Sequence, residues 1–329
     1  MTVSNSINFT VNAKEIITEA LEQLGVLGEG ESPTDEQLRS SMRTLNMMTK
    51  TWQADGLNLF AVKETFLFLR QNQRSYDLAA TTADHWTTTF SETTTSAAAS
   101  ATDTTIVLTD STGIADGDFI GVKTDAGEVL HWTTVSDASG APSIVITDAL
   151  PDDVSSGATV YFYTNKANRP MKVLEAYTVR FSNDSTSNGV DIPVAIIGRV
   201  DYGELANKDA SGVTNQVYFD PQIGTAKLFV WPVTDSERDY LRLFVQRTLS
   251  DFDCINDTPD YPQEWFLPLS FGLALLLAPK HGVPQQTFNR IAALAASTYE
   301  QAEGFDEENE TSLYFKPDTW GRDVSRTGG

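Results

Sequence analysis

Apolar residues recur at helical spacing near both ends of the chain and at strand spacing between them. Ile16, Ile17, Ala20, Leu21 and Leu24 share one stripe that stops at Gly25, and Asn12 with Glu15 three positions on gives it a capping-box start. After the linker "VLGEGESP", Thr34 and Gln37 repeat that start, and Leu38, Met42, Leu45, Met48 and Trp52 follow at spacings of three and four up to Gly56. Toward the other end, "QEWFLPLSFGLALLLAPKHG" is apolar on nearly all sides, which predicts a buried helix kinked or restarted at Pro268. A further helical stripe follows it, made of Phe288, Ile291, Ala295, Thr298, Tyr299 and Ala302.

The middle of the chain has a different period. In "FAVKETFLFLRQNQRSYDLA", Phe66 and Phe68 face one way and Leu67 and Leu69 the other. "VYFDPQIGTAKLFVWPV" predicts a β-hairpin, with Pro221 and Gly224 at its turn and Pro232 at its end, and "DYLRLFVQRTLS" predicts one more strand. From Thr81 the composition shifts to Thr, Ser and Ala. That segment leads into short strands, "TIVLT", "DFIGVKT", "VLHWTTV", "SIVIT" and "TVYFY", spaced as in a small sandwich or barrel. Between Ala79 and Lys166 there are 12 acidic residues against 2 basic ones, which marks this block as an acidic β-domain of its own.

Composition narrows the function classes. The 329 residues, 40% of them hydrophobic, suffice for two domains or for one with a large insertion. The longest apolar run, Leu273 to Ala278, ends at Pro279 and falls far short of the roughly 18 residues that a membrane span needs, and the N-terminus has no export-signal pattern. A net charge of −22 argues against wrapping nucleic acid and fits either plain solubility or a surface past which DNA slides without sticking. The single cysteine, Cys254, forms no internal disulfide and has no basic neighbour to activate it, consistent with assembly in a reducing cytoplasm. His85, His131 and His281 lie far apart without a second ligand at metal spacing, so neither a metal, a cofactor nor an enzyme is expected.

The order of these segments resembles the head-to-tail adaptor family of short-tailed bacteriophages, also called tail accessory or head-completion factors. The resemblance rests on "EALEQLGVLGEGESPT", "TLNMMTKTWQADGLNLFA", "QRSYDLA", "RPMKVLEAYTVR", "DIPVAIIGRVDYGEL", the "WP" hairpin and "LSDFDCINDTPDYPQEWFLPLSFGLALLLAPKHGV", in that order. It covers residues 12–78 and 169–302. Where the family pattern runs directly from "SYDLA" to "RPMKVL", this chain carries the acidic β-block, as an insertion at a loop whose ends lie close together.

The resemblance implies a virion protein at the head–tail junction, assembled in the host cytoplasm. Its implied partners are the portal protein, copies of itself in a dodecameric ring, downstream tail nozzle or fibre proteins, and passing genomic DNA bound without sequence preference; no membrane is implied. Pattern and resemblance together predict an α+β fold: a helical bundle with a small antiparallel β-part, plus an inserted all-β sandwich- or barrel-like domain. The core is expected at 1–80 and 167–303, the insert at 81–166 and a docking tail at 304–329. Subunit packing is expected through Leu38, Met42, Leu45, Trp52, Trp265, Phe288 and Ile291, and docking to the portal or a neighbour through Phe305, Tyr314, Phe315 and Trp320. The hairpin is expected to project from the bundle, with Tyr218, Phe219, Phe229 and Trp231 as local core, and the rest of the chain to fold without the insert. Two other functions remain open for the insert: a tail-borne cell-wall or glycan hydrolase using paired carboxylates, or a host-glycan module using Trp86, Trp132 and Tyr161.

Overall fold

The structure, a computed structural model, describes residues 6–28, 30–55, 59–127, 129–181 and 189–306. Contacts divide the chain into two compact units, one of residues 1–45 with 254–329 and the other of residues 46–253.

The first unit is helical. Helix α1 (Ala13–Gln23) starts on a complete capping box, Asn12 accepting from the Glu15 amide and Glu15 accepting from the Asn12 amide, and turns out at Gly25 with φ 69°. Its next two orphan amides, Ala13 and Lys14, donate to the carbonyls of Asp257 and Ile255. Helix α2 (Asp35–Asp55) begins on the reciprocal Thr34–Gln37 pair and passes into the second unit at Asn46. Helix α4 (Phe266–His281) follows a 3₁₀ turn at Gln263–Trp265. Pro268 sits in its first turn, where the missing N–H has no helical partner to lose, and Gly282 closes it at φ 63°. Helix α5 (Gln285–Phe305) packs back along α4, with Tyr299 edge-on to Trp265 at 5.6 Å.

The second unit is built from β-strands. Its larger sheet contains β1 (Val62–Phe68), β2 (Ser75–Leu78), β3 (Trp86–Thr87), β10 (Pro170–Phe181), β11 (Gly189–Ile196), β12 (Gln216–Asp220), β13 (Ala226–Trp231) and β14 (Tyr240–Arg247), ordered β2-β13-β12-β11-β10-β14-β1-β3. Short helix α3 (Arg199–Glu204) connects β11 to β12, the one parallel pair; every other neighbouring pair is antiparallel. The smaller sheet contains β4 (Ser91–Thr94), β5 (Thr105–Val107), β6 (Phe119–Lys123), β7 (Leu130–Asp137), β8 (Ser143–Ile146) and β9 (Thr159–Tyr163), ordered β4-β9-β6-β7-β8-β5. Its edges β4 and β5 meet through the Thr95–Leu108 bridge and the bonds Ser96 N to Val107 O and Thr109 N to Thr94 O, which nearly close it into a barrel.

This architecture corrects the expected α+β fold. The body is mostly β, two large sheets of eight and six strands with five helices among the described residues, and no helical bundle forms its core. The hairpin of β12 and β13 does not project from a bundle but lies inside the larger sheet, between β11 and β2. The physical reason lies in strands that periodicity alone underweights. The 12-residue β10 carries two register shifts and so loses strict alternation, while β3 and β4 hide in a Thr/Ser-rich stretch whose β-branched threonines suit a pleated surface despite their polarity.

The insert is also tied in more closely than its composition suggests. Trp86, fully buried, belongs to the core of the larger sheet with Leu67, Leu69, Leu241 and Leu243. On the other face of β1, Phe68 packs on Tyr161 and Tyr163 of β9 and on Trp132 of β7, with ring centroids at 5.2, 6.3 and 4.8 Å. Every residue of β9 is therefore buried: Val160 and Phe162 fill the barrel while Tyr161 and Tyr163 face the larger sheet.

Candidate functional site

Chemistry-bearing side chains gather at the seam between the two sheets. His85, 6% exposed, stacks on Trp132 at 3.9 Å and 16°, and its Nδ1 lies 2.7 Å from the Tyr163 hydroxyl. Burial, reinforced by the positive charges of Arg70 and Lys166, pushes its pKa down to about 2, so the ring is neutral at physiological pH. Trp132 can lie flat there because Gly121 faces it across β6 and β7: a Cβ at Gly121 would stand 2.7 Å from the indole. Glu237, also buried, bridges the sheets, its two carboxylate oxygens accepting from the Gln71 and Leu130 amides at 2.9 Å each.

Glu92 on β4 lies opposite Tyr161 in the register. Desolvation against the barrel raises its pKa to about 7, countered by Arg238. The residue as a whole remains exposed to solvent. The phenols of Tyr161 and Tyr163 are pushed well above their ordinary value by burial.

This seam is made for cohesion. Its histidine is held neutral between aromatic rings, and its bridging carboxylate accepts a backbone N–H on each oxygen. Of the aromatics that the alternative glycan-binding function would use, Trp86 and Tyr161 are buried and Trp132 is half-buried against His85. No group of three His, Cys, Asp or Glu among the described residues could hold a metal ion. His131 is half-buried, with its Nε2 3.3 Å from the Asp148 carbonyl, and Cys254 is exposed.

The expected subunit-packing residues occupy several environments. Leu38, Leu45, Trp265 and Ile291 are buried within the chain itself; Met42, Trp52 and Phe288 are half-buried. Other large apolar residues that the helices leave exposed include Leu267 and Leu276 on α4, Leu294 on α5, Met47 on α2 and Val200 on α3. Phe305, at the end of α5, is 71% exposed; Tyr314, Phe315 and Trp320 lie outside the described residues. Periodicity had selected the buried stripe, which is the stripe that packs internally. The uncovered side showed in sequence only as the all-round apolarity of α4.

The hairpin aromatics stay within their own unit. Tyr218 and Phe229 are cross-strand neighbours stacked at 5.6 Å, Tyr202 of α3 covers both, and the Trp231 indole donates to the Asn207 carbonyl at 2.7 Å. No helix among the described residues is long and apolar enough to cross a membrane. No protein-family model matches the chain, and comparison with curated proteins finds no match.

Proposed function

We propose that the protein is a structural virion component, a head-to-tail adaptor whose copies form a ring that joins the portal to the tail and extends the DNA channel. The observation that carries this reading is the apolar surface left uncovered on the helical unit. Helix α4 is apolar on nearly all sides, and although it buries Leu269, Leu273 and Leu277, it leaves Leu267 exposed and Phe271 and Leu275 only half-covered, one strip at four-residue spacing. Leu294 on α5 adds to the apolar surface that a neighbouring copy or the portal would cover.

Two further features support the same reading. The order of segments resembles the adaptor family over residues 12–78 and 169–302, and the charge of −22 suits a conduit through which DNA passes without adhering. In this reading the barrel offers a surface to downstream nozzle or fibre proteins, and no catalytic step is assigned. The test is binding of the full chain to a purified portal ring from the phage that carries it, measured by co-sedimentation. Wild type is expected to bind, and Leu294→Asp, at an exposed position, to weaken binding at least tenfold while folding normally. Equal binding by the two chains, or none by wild type, refutes the assignment.

A further inference from the structure

The larger sheet leaves one stretch of backbone open at an edge. Strand β11 is eight residues long, yet it pairs with β12 only at Ala195 and Ile196. Ala195 and Ile197 donate to the carbonyls of Asn215 and Val217, so odd-numbered residues aim their backbone groups toward β12 and even-numbered ones toward β10. The register with β10 is unbroken over residues 189–194, which carries that alternation back along the strand. The amides of Gly189 and Asp191 and the carbonyls of Gly189, Asp191 and Pro193 therefore point away from β10, and among the described residues nothing bonds to them. Pro193 fits this geometry, because its missing donor falls on the outward side. Gly189, Asp191 and Pro193 are exposed, and Val190 is 59% exposed.

The chain closes its other edges itself. On β2 the Asp77 amide donates to Asp84, and the carbonyls of Asp77 and Ser75 accept from Thr82 and Gln73. On β3 the Trp86 carbonyl accepts from the Ala167 amide, and the edges of the barrel meet each other. A strand edge with unpaired donors and acceptors is a template for another strand. Two copies make poor mutual partners here. Antiparallel pairing about Asp191 would set two like charges opposite each other and face the Gly189 carbonyl with Pro193, which has no donor. Charge then selects among other chains. Arg180 and Arg242 flank the edge, and each is shared by two carboxylates, Arg180 by Asp235 and Asp239 and Arg242 by Asp191 and Glu64, so acid is in excess. The two faces differ as well, with Val190 and Ile192 on one and Asp191 on the other.

We propose that the edge of β11 at residues 189–193 is the docking site for an extended segment of a different protein, one that alternates apolar with basic residues and joins the larger sheet as a further strand. Its backbone takes up the outward groups of Gly189, Asp191 and Pro193. Its apolar side chains lie beside Val190 and Ile192, and its basic ones on the face of Asp191. The site depends on the open edge alone and not on the adaptor reading.

The test uses the full chain and a labelled heptapeptide of alternating lysine and valine, with binding read by fluorescence polarisation. Wild type is expected to bind it saturably and to ignore the matching glutamate–valine peptide. Only one edge of the added strand faces β11, so N-methylation of one alternate set of residues, lysines or valines, is expected to weaken binding about tenfold while the other set leaves it intact. Asp191→Lys, at an exposed position, is expected to weaken it about tenfold as well. Hydrogen exchange on the wild-type complex adds a readout that needs no variant, with slower exchange expected across residues 189–193. Absence of saturable binding, equal effects of the two N-methylated sets, equal binding of the glutamate–valine peptide or unchanged exchange at residues 189–193 overturns the proposal. Protection of those residues that grows with chain concentration, without peptide, assigns the edge to a second copy and overturns it too.

Discussion

Acidification should weaken the seam between the two sheets through one residue. His85 is held neutral by burial, with its folded pKa near 2 against an ordinary 6.5. Between those values the unfolded chain binds a proton that the folded chain refuses, so this contribution to stability is complete above 6.5 and is lost as pH falls below it. At pH 5 the unfolded state gains 1.5 pH units of protonation, a loss of about 2 kcal/mol. The perturbation is His85→Phe, which keeps an aromatic ring over Trp132 and removes the titration. The assay is urea unfolding followed by aromatic circular dichroism at pH 7.5 and pH 5.0. Other groups titrate in both proteins, so the informative quantity is the change in the wild-type-minus-variant difference. It should move by about 2 kcal/mol in favour of the variant at pH 5.0. If the difference is flat across that range, His85 is accessible to protons in the folded state and the seam is not the dry aromatic core described above.

Other expectations follow from single contacts. Glu237→Ala leaves the Gln71 and Leu130 amides without their acceptor and should cost about 2–3 kcal/mol in chemical denaturation, with Glu237→Gln losing roughly half as much. Gly121→Ala drives a methyl into the Trp132 indole and should cost about 1–3 kcal/mol, seen together with a change in the tryptophan near-ultraviolet signal that a mere loss of chain flexibility would not produce. Replacing residues 81–166 with a Gly-Ser linker removes Trp86 and uncovers Phe68, so cooperative thermal unfolding of the larger sheet should be lost; a sharp transition at the wild-type temperature contradicts the shared core. Glu92→Gln should stabilise the protein at pH 8 and leave it unchanged at pH 4, because a raised carboxyl pKa means stability lost as pH rises through about 7.

The helices were legible because their signals are local. The Asn12–Glu15 and Thr34–Gln37 starts, the Gly25 stop and the four-residue stripes are each written within a few positions, and each stands in the structure where the sequence puts it. Five of the barrel's six strands, all but β4, were legible for the same reason, as short apolar runs between turn residues. What sequence could not weigh was how strands assemble. Nothing near "YLRLFVQR" says that β14 will lie between β10 and β1, or that these long antiparallel ladders, not the helices, make the larger body. The seam was hidden too. His85 and Tyr163 are separated by 78 positions, and Phe68 meets Tyr161 only once the barrel has closed, so sequence alone left the exposure of these aromatics open where the structure makes Tyr161 cohesive core. The one available clue was "TVYFY", a strand with no polar face, which requires cover on both sides.

The adaptor assignment is tested most directly by imaging the full chain mixed with the portal ring of the phage that carries it. A coaxial ring of copies on one face of the portal is expected, with the apolar strip of α4 at the contact. A portal that stays bare at saturating chain, or copies attached singly around its rim without closing a ring, would contradict it.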